Sequence, residues 1–329
     1  MKESKLIAPF PWFGGKSKVA NIVWPRIGCE VYNYVEPFFG SGSMLFGRPG
    51  GPGKVETVND KDGYVCNFWR AIRSDPEEVA YYADRPVNEC DLTAVNVRLT
   101  LQGLRPELVE RLEGDLDYCD AKIAGLWVWG LCCWIGGGWA SADGPWYVSD
   151  DGRLLDRRKL PRPSDAGMGV TRRRPHLGWG RGVLRQQIRL LPWFADLANR
   201  LQHVRVCCGD WRRVLGNVPT CSLGTTAVFL DPPYGGDVGR DNNLYATEDL
   251  TVAAEVQIWC VENGNNKKMR IALCGYEGEH NMIESLGWTV FAWKTEGGYS
   301  TADNPNKNKE RIWFSPHCLA GDQLQLVLL

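Results

Sequence analysis

Residues 231–234 read Asp231-Pro232-Pro233-Tyr234, a carboxylate, two prolines and an aromatic ring in succession. A short apolar run, Ala227 to Leu230, comes before them and reads as a buried strand. The carboxylate is therefore expected at a strand's carboxyl end, where open α/β sheets place their ligands. The prolines stop the strand and stiffen the next backbone steps. Such a turn suits the clamping of an exocyclic amine on a planar base. Tyr234 would stack on the ring while Asp231 and the Pro232 carbonyl accept its N–H bonds. The alternative reading is an ordinary Pro-Pro turn with an exposed ring.

Three further stretches carry residue types with chemical use. Tyr32 to Pro37 leads into Phe38-Phe39-Gly40-Ser41-Gly42-Ser43, after which a helix is expected from Ser43 through Phe46. Strand, glycine turn and helix is the nucleotide-binding opening of a doubly wound fold. Glu36 argues against a phosphate ligand and for one with a cationic group. Val55 to Val58 reads as the next strand and ends in Asn59-Asp60. An acid there can hold ribose hydroxyls or cap the helix expected over 63–72. Near the start, Trp12 and Phe13 precede Gly14-Gly15-Lys16, and Lys16 suits a carboxylate or phosphate. The spacing is not that of a phosphate-binding P-loop.

These residues need a sheet to position them. Strands are expected at 204–208, 269–273, 289–292 and 311–314 beside those already named, with Asp210-Trp211 just after the first of these. An acid beside an aromatic there suits an adenine ring. The fold expected is α/β. Its sheet is interrupted by residues 73–185, so that 1–72 and 186–329 form one domain around a mainly helical insert. Within the insert, helices are expected over 76–118 and 121–134, and the tract from Gly136 to Pro145 is rich in glycine. A basic run follows. Arg157, Arg158, Lys159, Arg172, Arg173, Arg174 and Arg181 stand with Arg153, Arg162 and Arg185, opposed only by Asp156 and Asp165. With Trp179 and several glycines among them, these cations suit a nucleic-acid backbone. The alternative is a solvated charge run.

The bulk numbers bound the reading. The chain has 329 residues, and a formal net charge of -1 means that any nucleic-acid surface must be local. Twelve cysteines occur without any Cys-x-x-Cys spacing, and the four histidines are scattered. They read as buried thiols in a reducing compartment, with no disulfide framework and no metal site. The uncharged run from Ile123 to Ala142 is broken by glycines and reads as a buried helix and a loop. No membrane span and no apolar signal core behind Met1 are expected.

Taken together, PFPWFGGK at 9–16, YVEPFFGSGSMLF at 34–46, Asp60, Asp210 and the unbroken DPPY at 231–234 resemble the Dam-like DNA adenine-N6 methyltransferases, with cofactor motif, recognition region and DPPY in that order. The likeness covers roughly 1–72 and 200–318. It implies a Rossmann-like sheet and S-adenosylmethionine as methyl donor. By the resemblance, Trp12, Lys16, Glu36, Pro37, Phe38, Gly40, Ser41, Gly42, Ser43, Asp60, Asp210 and Asp231 serve the cofactor. Asp231, Pro232, Pro233 and Tyr234 then act on an adenine flipped out of duplex DNA. The family further implies a monomer or weak dimer in the cytoplasm of a bacterium or a phage host, with a cognate restriction endonuclease as a possible partner. Trp134-Ile135-Gly136-Gly137-Gly138-Trp139 departs from the family's pattern, so a target sequence does not carry over. The readings kept beside this one are cytosine-N4 methylation and an inactive DNA-binding module.

Overall fold

The computed structural model describes residues 6–10, 12, 19–100, 104–134, 139–140, 146–148, 154–156, 184–216, 222, 224–233, 249–293 and 310–320. Its centre is a seven-stranded sheet. In chain order the strands are β1 (Asn33–Glu36), β2 (Val55–Asp60), β5 (Val204–Cys208), β6 (Thr226–Leu230), β7 (Met269–Tyr276), β8 (Thr289–Ala292) and β9 (Glu310–Phe314). A separate antiparallel pair is made by β3 (Trp146–Val148) and β4 (Leu154–Asp156). The sheet order is β5-β2-β1-β6-β7-β9-β8, parallel except for β9, which runs against both its neighbours. From β1 the chain steps outward through β2 to β5, then returns to β6 and steps the other way. The reversal lies between β1 and β6, and ligands of such sheets bind outside the strand ends at that point.

Both faces of the sheet are covered, which is why β1 and β6 are buried along their whole length. Side chains alternate between two cores with the strand period of two. Tyr34, Ala227, Phe229, Ala272, Cys274, Ile312 and Phe314 enter one core. Val35, Val228, Leu230, Ile271, Leu273 and Trp313 enter the other. The second core is closed by Val256, Trp259 and Cys260 of α9 (Asp249–Asn263) and by Ile283 of the short α10 (Asn281–Glu284). The first is closed by α1 (Ala20–Ile27), α3 (Gly63–Ser74), α7 (Ala121–Cys133) and α8 (Leu184–Leu201).

Local signals set the helix starts. Asp62, Asp75 and Asp120 cap α3, α4 (Pro76–Ala83) and α7 by accepting from Tyr64 N, Glu78 N and Ile123 N, each worth about 1 kcal/mol. Pro76 opens α4, where a missing N–H costs nothing. Apart from the exposed Lys122, α7 is apolar around its circumference because nearly all of it is buried. It packs on α3 and α4, and α5 (Glu89–Thr100) and α6 (Leu104–Gly114) pack beside them. Leu92, Val95, Leu108 and Leu112 enter the same core as the sheet residues. The helical part of 73–185 is thus built onto one face of the sheet.

Two residues of the Gly/Trp stretch are described. Trp139 is buried over Gly130 of α7, where a Cβ would lie 1.9 Å from the indole, and its Nε1 donates to Trp127 O at 3.0 Å. Ala140 has a left-handed backbone (φ 52) and is held from both sides. Its N–H donates to Asn96 Oδ1 at 2.9 Å, and its carbonyl accepts from Arg105 Nη2 at 3.0 Å.

Candidate active site at the carboxyl edge of the sheet

Four carboxylates mark the carboxyl ends of four adjacent strands. Glu36 ends β1, Asp60 ends β2, Asp231 directly follows β6, and Asp210 lies two residues beyond β5. The parallel register brings their strand ends to one edge, on both sides of the chain reversal.

Glu36 is buried, and its Oε2 accepts from the Tyr34 hydroxyl at 2.8 Å. Burial pushes its carboxyl well above the usual carboxylate range. The charges of Asp231 and Asp60 push the same way, while the Tyr34 hydroxyl and the Leu45 N–H oppose them. Among the described residues no cationic side chain pairs with it. A buried acid surrounded by other acids suits a ligand that brings its own positive charge.

Asp60 organises the turn after β1. Its Oδ2 accepts from Gly40 N at 2.8 Å and its Oδ1 from Asp62 N at 2.9 Å. Burial raises its carboxyl to about 6, against those backbone bonds. The Lys61 N–H also favours its charged form, and a carboxylate with about four lone-pair sites can still accept a hydroxyl beside three backbone donors. The helix cap that Asn59-Asp60 might have supplied falls instead to Asp62, which leaves Asp60 for the turn. Gly40 and Gly42 both have positive φ, 46 and 66, and Gly42 stands just before α2 (Ser43–Phe46). A side chain at either would be strained, and at Gly40 it would also strike the Trp12 indole, 2.4 Å away. Trp69 Nε1 donates to Gly40 O at 2.9 Å, and the Ser41 and Ser43 hydroxyls meet at 2.9 Å.

Asn59 joins three strand ends. From β2 its Nδ2 donates to Pro37 O at 3.1 Å, after β1, and to Gly209 O at 3.0 Å, after β5. Asp210 is half-exposed and caps the 3-10 turn Trp211–Val214, accepting from Arg212 N at 2.9 Å. Trp211 does not offer a stacking face beside it. The ring is buried in the second core against Leu215, Val228, Leu230 and Trp259, 6.1 Å from the half-buried Phe38 ring. The strong apolar environment under β6 accounts for that orientation. Asp231 is half-buried, Pro232 buried and Pro233 half-buried. Trp12 is partly exposed beside Phe10 at the glycine turn.

The structure therefore brings Trp12, Glu36 to Ser43, Asp60 and Asp231 to one edge, with Asp210 at its flank. Lys16, Tyr234 and the basic run of Arg157, Arg158, Lys159, Arg172, Arg173, Arg174 and Arg181 lie outside the described residues. The sequence gives Asn59 only as the neighbour of Asp60, and it gives Tyr34 and Trp69 no role. Tyr34 had a signal, because residues two apart on a strand share a face.

The sheet order with its single reversed strand is consistent with the class I S-adenosylmethionine methyltransferase topology. Residues 12–91 match the model of the D12 class N6 adenine-specific DNA methyltransferases. That span holds Glu36, the glycine turn, Asn59 and Asp60, and continues through α3 and α4 into the start of α5. No curated protein matches the chain. Among the described residues no helix is long and apolar enough to cross a membrane.

Proposed function

We propose that the protein is a site-specific DNA adenine-N6 methyltransferase using S-adenosylmethionine. The observation that carries this reading is the buried Glu36, with no cationic partner among the described residues, beside Asp60 and Asp231 at the sheet reversal; Glu36 and Asp60 lie within the span that matches the adenine-specific family. The donor set fits the cofactor. An ammonium group and ribose hydroxyls both seek acceptors, and the edge offers carboxylates for both. Glu36 and the turn from Pro37 to Ser43, with Trp12 and Lys16, would hold the methionine end. Asp60 would accept from the ribose, and Asp210 would serve the adenine of the cofactor. The bound cofactor supplies an electrophilic methyl group.

The target adenine would enter beside β6. Asp231 and the Pro232 carbonyl would accept from its N6 amino group, and Tyr234 would stack on the ring. Pro233 keeps that turn stiff. Accepting the N–H bonds raises electron density at N6 and fixes its direction, so positioning and electrostatics supply most of the rate. The recognition region is assigned to 73–185, with duplex DNA held by Arg157, Arg158, Lys159, Arg172, Arg173, Arg174 and Arg181. Base flipping and membership of a restriction-modification system are parts of the same proposal.

The test is incubation with labelled S-adenosylmethionine and plasmid, followed by digestion to nucleosides. N6-methyladenine is expected. N4-methylcytosine would move the assignment to the cytosine enzymes, and DNA binding with no methyl incorporation would leave a binding module.

A further inference from the structure

Tyr34 lies one strand step inside the site, beneath Glu36. The two residues are both buried, and their side chains point to the same side of β1. Burial holds the Tyr34 phenol well above its ordinary range, so it stays a neutral hydroxyl. It donates to Glu36 Oε2 at 2.8 Å. The ring packs against Trp24 at 4.9 Å between centroids, which fixes the hydroxyl independently of any ligand.

We propose that Tyr34 is a positioning residue of the cofactor site, fixing one oxygen of Glu36 and favouring its charged form so that the carboxylate can accept an α-ammonium group. The inference rests on the assignment of this edge to S-adenosylmethionine. The physical case is one of balance. A buried carboxylate needs either a cation or hydrogen-bond donors to remain ionised. Among the described residues, the phenol from β1 donates to Glu36 and the Leu45 N–H from α2 also favours its charged form. Against them stand Asp60 from β2 and Asp231 after β6. Around the phenol itself, Glu56 of β2 and Arg48 act in opposite senses. With the hydroxyl removed, Glu36 loses that donor and keeps both acidic neighbours. A proton then competes more strongly with the ammonium group for the same oxygens. Cofactor affinity should thus fall as the solution is acidified, and removing the phenol should move that fall to higher pH.

Tyr34→Phe removes one buried oxygen and leaves the ring packing against Trp24. Binding is measured by titration calorimetry between pH 5.5 and 9 with two ligands. One is S-adenosylmethionine. The other is 5′-methylthioadenosine, which keeps adenine, ribose and sulfur and lacks the amino-acid end. Thermal unfolding of the variant is recorded alongside. For Tyr34→Phe, S-adenosylmethionine affinity should fall about tenfold near neutral pH, the scale of one hydrogen bond to a charged group. The pH at which affinity reaches half its plateau should move upward, and methylthioadenosine binding should be unchanged. Equal weakening of both ligands would reduce Tyr34 to a packing residue and overturn the proposal. So would an unaltered affinity and pH profile for S-adenosylmethionine. If the unmodified protein bound neither ligand, the cofactor assignment itself would fall, and this inference with it.

Discussion

Two glutamates on neighbouring strands, Glu36 and Glu56, are equally buried at 2 % exposure and are treated oppositely by the fold. Glu56, near the start of β2, is enclosed by cations. Arg48 Nη1 reaches its Oε1 at 3.0 Å, and Arg200 of α8 reaches Oε2 at 2.6 Å and Oε1 at 2.9 Å. Gly53 N adds a fourth bond at 3.0 Å. The arginines in turn donate to Cys29 O, Val31 O and Leu45 O. Glu36, at the carboxyl end of β1, has a phenol, one backbone N–H and two acids nearby. A buried charge with its partners built in holds the fold together. A buried acid with no cationic partner among the described residues suits a ligand that brings one. The same residue type at the same depth thus marks a structural joint near one end of the sheet and a candidate binding edge at the other.

The contrast predicts different failures. The largest is expected at Glu56, where Glu56→Ala strands two buried guanidinium groups and should cost about 3–5 kcal/mol of stability. Denaturant unfolding reads this directly, and a loss under 1 kcal/mol would break the contrast. Next comes Asp231→Ala, where methyl transfer should fall by about 100- to 1000-fold, the scale for removing one preorganised electrostatic contact. Cofactor affinity and melting temperature should barely change, and near-normal turnover would remove Asp231 from the chemistry. Glu36→Gln should leave folding intact while weakening S-adenosylmethionine about tenfold or more, in line with a lost charge-assisted bond. If Glu36→Gln unfolded the protein as Glu56→Ala should, the two glutamates would be of one kind.

A smaller effect is expected from pH. Burial raises Asp60 to about 6 in the folded protein, above its ordinary 3.8. Its contribution to stability is therefore fully present below about 3.8 and is lost as pH rises towards 6. Asp60→Asn should flatten stability against pH across that window in denaturant titrations. His280 works in the reverse sense. Burial lowers it from 6.5 to about 4, so its contribution is present above 6.5 and lost as pH falls towards 4. His280→Gln should remove that acid-side loss.

Much of the edge could be read from the sequence because its acids sit where short apolar runs stop. β5 and β8 fall at the expected bounds, β1 and β2 end at the expected acids, and β6 stops at Leu230, just before Asp231. The helices after Ser74 were also legible as helices. That Leu92, Leu108 and the whole of α7 enter the sheet's own core was not, since periodicity shows a buried face without showing what covers it. α9 went unread for a different reason. Val256 and Trp259 face the core, while Ile258 and Val261 are exposed, so apolar residues surround the helix and blur its period. α1 is short and carries Pro25 within it, a residue that normally argues against helix. The bond from Trp69 to Gly40 spans 29 residues and leaves no local trace. Tyr34 is the instructive case: its spacing from Glu36 was visible, but only the hydroxyl's 2.8 Å bond gives it a role.

Trp139 carries a consequence for how such a protein can diversify. Its indole seals the core over Gly130, and Asn96 and Arg105 pin the next residue before the arginine-rich run begins. A lineage that changed the size of either Trp139 or Gly130 would therefore have to change the other with it, because the two share one packed space.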